Sequence, residues 1–115
     1  LTEKDILLEV EFKERFFNFS LLNKTVPHRV PTADNGDPRL YLYITFLNAS
    51  GEQVDQAKWI IAPQQDTALP LNKKMGFRYR LFNPVAQANI VLKYQPAWSK
   101  EKDLVWEKTF RREPK

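Results

Sequence analysis

The stretch Arg39-Leu-Tyr-Leu-Tyr-Ile-Thr-Phe-Leu47 decides the fold class of this chain. Its even positions are all large and apolar: Leu40, Leu42, Ile44 and Phe46. The odd positions from 41 to 47 are also mostly apolar or aromatic. Alternation with a period of two residues is the pattern of a β-strand, and apolar side chains on both faces are typical of a strand inside a sheet. The sequence therefore predicts a central strand over residues 39–47.

The segments before and after this strand follow the same pattern. Asn48-Ala-Ser-Gly51 has turn chemistry, and Gln53 to Ile61 returns as a strand, which predicts a hairpin. Near the start of the chain, Ile6 to Lys13 alternates, and Arg15 to Leu22 alternates in a new phase after a tight bend or bulge. A helix from Asp5 to Leu22 is the alternative, but three phenylalanines within four residues favour strands.

Three further strands are predicted in the second half, over Gly76 to Phe82, Asn89 to Tyr94 and Asp103 to Arg111. In the last of these, Leu104 and Trp106 are expected to face the core together. Pro63 to Pro70 is a loop or a short edge strand. The result is an all-β domain, an Ig-like β-sandwich of about seven or eight short antiparallel strands, with a small β-barrel as the alternative.

The chain is expected to form one domain over residues 1–115, in which residues 103–115 supply the last strand and a basic tail. Val26 to Pro38 stands out as irregular because it holds three prolines and an Asp-Asn-Gly-Asp run. Long loops of this kind often carry function. Its His28 is expected to be an exposed loop residue, and the acidic run a turn, since calcium-loop spacing is absent.

The residue inventory excludes most chemistry. The 115 residues include no Cys, one His and three Gly. Without Cys there is no disulfide, thiolate nucleophile or cysteine-bound zinc, and three glycines cannot build a phosphate-binding loop. We therefore expect no catalytic residues, no metal and no cofactor, and we predict that the chain is not an enzyme.

A partner-binding surface is predicted from arginine, lysine and exposed aromatic residues. If the strands at 76–82 and 89–94 pair as a hairpin, Arg78, Arg80 and Lys93 share one sheet face. Tyr41 and Tyr43 are expected to point outward, and Trp98 lies in a loop. The predicted binding set is Arg78, Arg80, Lys93, Tyr41, Tyr43 and Trp98. The alternative is that the arginine stems only cover apolar sheet surface.

The net charge of +4 is modest and dispersed, which favours a protein partner over nucleic acid. No apolar stretch is long enough for a membrane span, although an anchor upstream of Leu1 is possible. The chain has no Cys, and it has Asn-X-Ser/Thr triplets, which are candidate glycan acceptors, at Asn18, Asn23 and Asn48. Both features favour a periplasmic or extracellular location, with the cytoplasm as the alternative.

Together these features predict a non-catalytic exported domain that binds a protein partner in an envelope, adhesion or secretion assembly. A nucleic-acid or polyanion-binding module and a small-ligand carrier are the alternatives.

Overall fold

A computed structural model describes residues 5–23, 39–61, 74–95 and 101–112 of the chain. These ranges contain seven strands. They are β1 (Ile6–Lys13), β2 (Phe16–Asn23), β3 (Arg39–Leu47), β4 (Gln53–Ile61), β5 (Lys74–Arg80), β6 (Gln87–Gln95) and β7 (Asp103–Arg111). The predicted irregular segment from Val26 to Pro38, the stretch from Pro63 to Pro70 and the end of the basic tail lie outside the described residues.

The strands form two antiparallel sheets. One has three strands in the order β1-β2-β5, and the other has four in the order β4-β3-β6-β7. Each sheet keeps two edge strands, so the sheets do not close into a barrel. The predicted all-β fold is confirmed, with an architecture consistent with a β-sandwich.

β3 is the central strand that its sequence predicts. It pairs with β4 on one side and β6 on the other. All four of its even-numbered side chains are at most 1% exposed, and they are Leu40, Leu42, Ile44 and Phe46. The hairpin to β4 is confirmed as well. Its turn is held by the Asn48 side chain, whose Oδ1 accepts hydrogen bonds from the backbone N–H groups of Ser50 and Glu52 at 3.0 Å.

Residues 6–23 form a hairpin rather than the alternative helix. Lys13 pairs with Phe16, so Glu14 and Arg15 make a two-residue turn. The turn reverses the chain, and this explains why the apolar alternation changes phase at that point. Glu14 has a φ of 54°, in the left-handed region. The backbone N–H of Leu81 donates to the Arg15 carbonyl, and the Arg112 guanidinium donates to the Glu14 carbonyl, which fixes the turn.

Replacing Glu14 with glycine is expected to raise the free energy of unfolding by up to about 1 kcal/mol. Glycine adopts positive φ without the steric cost that other residues pay. Chemical denaturation measures the change. Arg15→Gly is the matched control, because Arg15 lacks positive φ and glycine there should cost about 0.5–1 kcal/mol. A destabilised Glu14→Gly variant would contradict this account of the turn.

The predicted hairpin between the strands at 76–82 and 89–94 is wrong. β5 pairs with β2 in the three-stranded sheet, whereas β6 pairs with β3 and β7 in the other sheet. The linker between them crosses from one sheet to the other and carries buried Leu81 and Val85. These apolar residues pack into the core at the crossing. Their burial stabilises a linker that bridges the layers instead of turning back.

The expected shared phase of Leu104 and Trp106 is also wrong. Leu92 pairs with Trp106, and Lys93 pairs with Leu104, so β7 carries one extra residue between the two pairs. Such a bulge shifts the alternation by one position. Trp106 is therefore buried as predicted, at 4% exposure, while Leu104 faces outward at 57%.

The space between the sheets is filled with aliphatic and aromatic side chains. Phe17 of β2 packs edge-on against Phe46 of β3, with ring centroids 5.4 Å apart, and so joins the two sheets. Trp59 of β4 meets Phe19 in the same way at 4.9 Å. The core is thus a continuous apolar layer, and the side chains available for chemistry lie on the outer faces and at the ends of the strands.

Candidate functional site

The outer face of the four-stranded sheet brings tyrosines and lysines together. Tyr41 and Tyr43 are two residues apart on β3 and therefore point to the same side. Tyr43 pairs with Lys58 of β4, and Tyr41 pairs with Lys93 of β6. Lys102, just before β7, joins them from the end of the sheet. We call these five residues the lysine–tyrosine cluster.

The two tyrosine rings lie nearly parallel. Their centroids are 6.2 Å apart and their planes differ by 11°. Tyr41 is 7% exposed, and its hydroxyl donates a hydrogen bond to Oε1 of Gln95 at 2.9 Å. The sequence placed Tyr41 correctly on the outer face but wrongly as a surface residue, because the neighbouring side chains cover its ring. Tyr43 is the more accessible of the two.

Three ammonium groups surround this pair of rings. Lys102 Nζ lies 4.1 Å from the centroid of the Tyr41 ring and donates a hydrogen bond to the Tyr43 hydroxyl at 2.9 Å. Lys58 Nζ lies 5.3 Å from the Tyr41 centroid and 5.7 Å from that of Tyr43. Lys93 Nζ lies 6.0 Å from the Tyr43 centroid. At these distances the negative ring faces attract the cations.

The electrostatics of the lysine–tyrosine cluster keep it positive. The hydrogen bond to Tyr43 raises the pKa of Lys102 above its ordinary value, although partial desolvation opposes this. None of its three lysines forms an ion pair with a carboxylate in the described part of the chain. The ion pair found there joins Lys74 and Glu9, at 2.8 Å, on the other sheet.

The six predicted partner-binding residues do not form one surface. Tyr41, Tyr43 and Lys93 come together, but Arg78 and Arg80 lie on the outer face of the three-stranded sheet, since β5 and β6 belong to different sheets. The Arg78 guanidinium donates to Oδ1 of Asn18 at 3.1 Å and lies 4.5 Å over the Phe16 ring. Trp98 falls outside the described residues.

Arg80 belongs to a separate basic end of the sandwich. Its guanidinium lies 5.3 Å from the ring of Phe82, which is 76% exposed. With Arg15 and Arg112 these residues border an open depression of about 400 Å³. A second depression, of about 490 Å³, lies over Ser20 and Gly76 on the outer face of the three-stranded sheet. Neither depression is enclosed.

Sequence reasoning missed Lys58 and Lys102. The turn at residues 48–52 pairs Leu47 with Gln53, and a regular register from there would set Ala57 opposite Tyr43. One extra residue in β4 shifts the register and sets Lys58 there instead, so the turn alone does not predict it. Lys102 has no sequence signal either, since it precedes β7 and reaches the rings through its long side chain. The missing residues supply two of the three charges in the lysine–tyrosine cluster.

Burial raises the pKa of two other tyrosines. Desolvation raises the pKa of Tyr79, and a hydrogen bond from its hydroxyl to Asp55 Oδ1 at 3.0 Å adds to the effect. Desolvation, with the nearby Asp103 carboxylate, raises the pKa of Tyr94. Both phenol groups therefore stay protonated up to a higher pH than the side chain of a free tyrosine. The described ranges contain no group of three or more histidine, aspartate or glutamate side chains arranged to hold a metal ion.

The candidate glycosylation sites differ in accessibility. Asn23 is fully buried, which is incompatible with a glycan in this fold. The side chains of Asn18 and Asn48 are engaged as hydrogen-bond acceptors. Within the part of the chain that is described, no helix has the length and hydropathy needed to cross a membrane.

Comparison with known proteins gives a match in structure. No protein-family model matches the chain, and no curated protein sequence does. The fold is similar to a penta-heme cytochrome c552 from Thermochromatium tepidum, with a TM-score of 0.70 and 18% sequence identity. The match covers 96% of this chain and 40% of the cytochrome chain. At this identity the similarity shows a shared fold.

This match overturns the function predicted from sequence. The chain was expected to act in an envelope, adhesion or secretion assembly, with nucleic-acid binding or ligand carriage as alternatives. The solved structure to which its fold is similar is instead a penta-heme cytochrome. The predicted function was wrong because a β-sandwich serves many roles, and surface residues alone do not select among them.

Proposed function

We propose that this chain is a heme-free β-sandwich domain of an electron-transfer protein, working beside hemes that are held outside these 115 residues. The observation that carries the proposal is the fold similarity to the penta-heme cytochrome, which extends over 96% of the chain. The similarity covers 40% of the cytochrome chain, so most of that chain lies outside the matched region. This proportion agrees with a domain of this fold that accompanies a heme-bearing segment or polypeptide.

The residues of this chain do not fit a heme of their own. Covalent attachment of a c-type heme uses a Cys-X-X-Cys-His motif, and the sequence has no cysteine. Axial ligands in cytochromes are mainly histidine and methionine, of which the chain has one each, His28 and Met75. Met75 lies on β5 and packs against the core. The core itself is occupied by the side chains of both sheets.

Other predictions from the sequence fit this proposal and remain predictions. A periplasmic or extracellular location agrees with the similarity to a c-type cytochrome. The protein partner expected from the surface residues becomes the heme-bearing polypeptide or segment. The chain is expected to be non-enzymatic and to bind neither metal nor cofactor itself.

The heme-free part of the proposal can be tested on the 115-residue chain alone. The chain would be produced in a bacterial strain that attaches hemes to c-type cytochromes, purified, and titrated with hemin. We expect a folded protein without the absorption bands of bound heme and without a saturable spectral change. One equivalent of heme, attached or bound tightly, would overturn the proposal.

A further inference from the structure

The lysine–tyrosine cluster has more hydrogen-bond donors than the protein uses. The Tyr43 hydroxyl oxygen accepts from Lys102, so its own O–H remains available, and none of the described residues accepts from it. Lys58, Lys93 and Lys102 contribute ammonium groups to the same rings. Three like charges gathered around one pair of rings repel one another, and the cation–π contacts offset this only in part.

We propose that the lysine–tyrosine cluster is a binding site for a carboxylate ligand. Charged acceptor oxygens would receive hydrogen bonds from the ammonium groups and from the Tyr43 hydroxyl, and charge-assisted bonds of this kind are the strong ones. The site is independent of the proposed function, because it requires no heme and no second domain. Either proposal can fail without the other.

The placement of the donors favours a compact anion. Lys58 lies on β4, directly across from Tyr43, and Lys93 on β6 pairs with Tyr41, so the two lysines approach the rings from opposite sides. Lys102 approaches from the end of the sheet. An oxygen acceptor near the Tyr43 hydroxyl can therefore be reached from several directions.

The surroundings disfavour an extended polyanion. Val91 separates Tyr43 from Glu107, whose exposed carboxylate lies on the same face of the sheet. Exposed Leu104 occupies the edge next to Lys93. The positive region is therefore bounded along β7 by a negative and an apolar side chain. A carboxylate with a short hydrocarbon stem fits this pattern, because its stem can rest against the Tyr43 ring, the more accessible of the two.

The test uses two probes at constant ionic strength: citrate, as a free carboxylate, and a short peptide with blocked ends and a single glutamate, as a protein-borne one. Binding is followed by NMR shifts of the Tyr43 ring and the lysine Nζ groups, with chloride as the reference anion. We expect Lys102→Met to weaken binding about tenfold, because a charge-assisted hydrogen bond is lost. Tyr43→Phe should also weaken it. Lys74→Met on the other sheet is the matched control and should leave affinity unchanged.

The results with the two probes distinguish a free carboxylate from a protein-borne one, and they can overturn the proposed site. Binding of citrate through the lysine–tyrosine cluster supports the site and assigns it to a free carboxylate, whereas binding of the peptide alone assigns it to a carboxylate on a protein. If neither probe shifts the Tyr43 ring, or if Lys74→Met weakens binding as much as Lys102→Met, the proposal is overturned.

Discussion

Replacing Phe17 with alanine is expected to lower the free energy of unfolding by about 3–5 kcal/mol. Phe17 is fully buried in the middle strand of the three-stranded sheet. Its ring contacts Phe12 at 4.9 Å and, across the sandwich, Phe46 at 5.4 Å between centroids. Alanine would remove these contacts and leave a cavity between the sheets. Urea denaturation followed by tryptophan fluorescence measures the loss.

The neighbouring residue provides the control. Phe16 lies on the outer face of the same strand, half-buried beneath the Arg78 guanidinium. Phe16→Ala should cost only about 1 kcal/mol, because it removes a cation–π contact and a limited apolar area. If Phe16→Ala costs as much as Phe17→Ala, then β2 does not present its faces as described.

Replacing Trp106 with alanine should cost about 3–5 kcal/mol, and replacing it with phenylalanine about 2 kcal/mol. Trp106 of β7 is buried, and its Nε1–H donates to the carbonyl of Ile6 on β1 at 3.0 Å. This hydrogen bond connects the two sheets. Phenylalanine keeps most of the ring volume but leaves the buried carbonyl without this donor, so it separates packing from hydrogen bonding.

Leu104→Ala is the control for Trp106, since the bulge places Leu104 on the outer face. A change within about 0.5 kcal/mol is expected for an exposed side chain. If the slopes of the denaturation curves are unchanged, the shifts in midpoint report changes in stability. A large loss of stability in Leu104→Ala would show that β7 is regular and that the bulge is absent.

Sequence periodicity was sufficient to predict the individual strands. The alternation in β3 specified which side chains face the core, and Leu42 and Ile44 are buried as expected. Period two is a local property, and every face assignment that depended on one uninterrupted strand was correct. The alternation in β7 failed at Leu104 because one extra residue reverses the phase, and nothing in the side chains around it marks a bulge.

The same alternation could not predict which of the two sheets each strand joins. β5 and β6 are consecutive in sequence, so a hairpin was the simplest expectation, but the linker carries Leu81 and Val85 into the core and crosses between layers. Because of this error, Arg78 and Arg80 were predicted to lie beside Lys93, whereas the structure places them on the other sheet. Three of the five residues of the lysine–tyrosine cluster, Tyr41, Tyr43 and Lys93, follow from period two. Lys58 is placed by the extra residue in β4, and Lys102 by its position just before β7 in the folded chain.

The measurement that tests the central claim most directly is the reduced-minus-oxidised absorption spectrum of the natural protein, purified from its own organism. If the chain is a heme-free domain of an electron-transfer protein, the preparation will show the α band of a c-type heme. Heme staining after electrophoresis will then assign that heme to a segment or polypeptide outside these 115 residues. A folded, intact preparation that contains no heme would contradict the account.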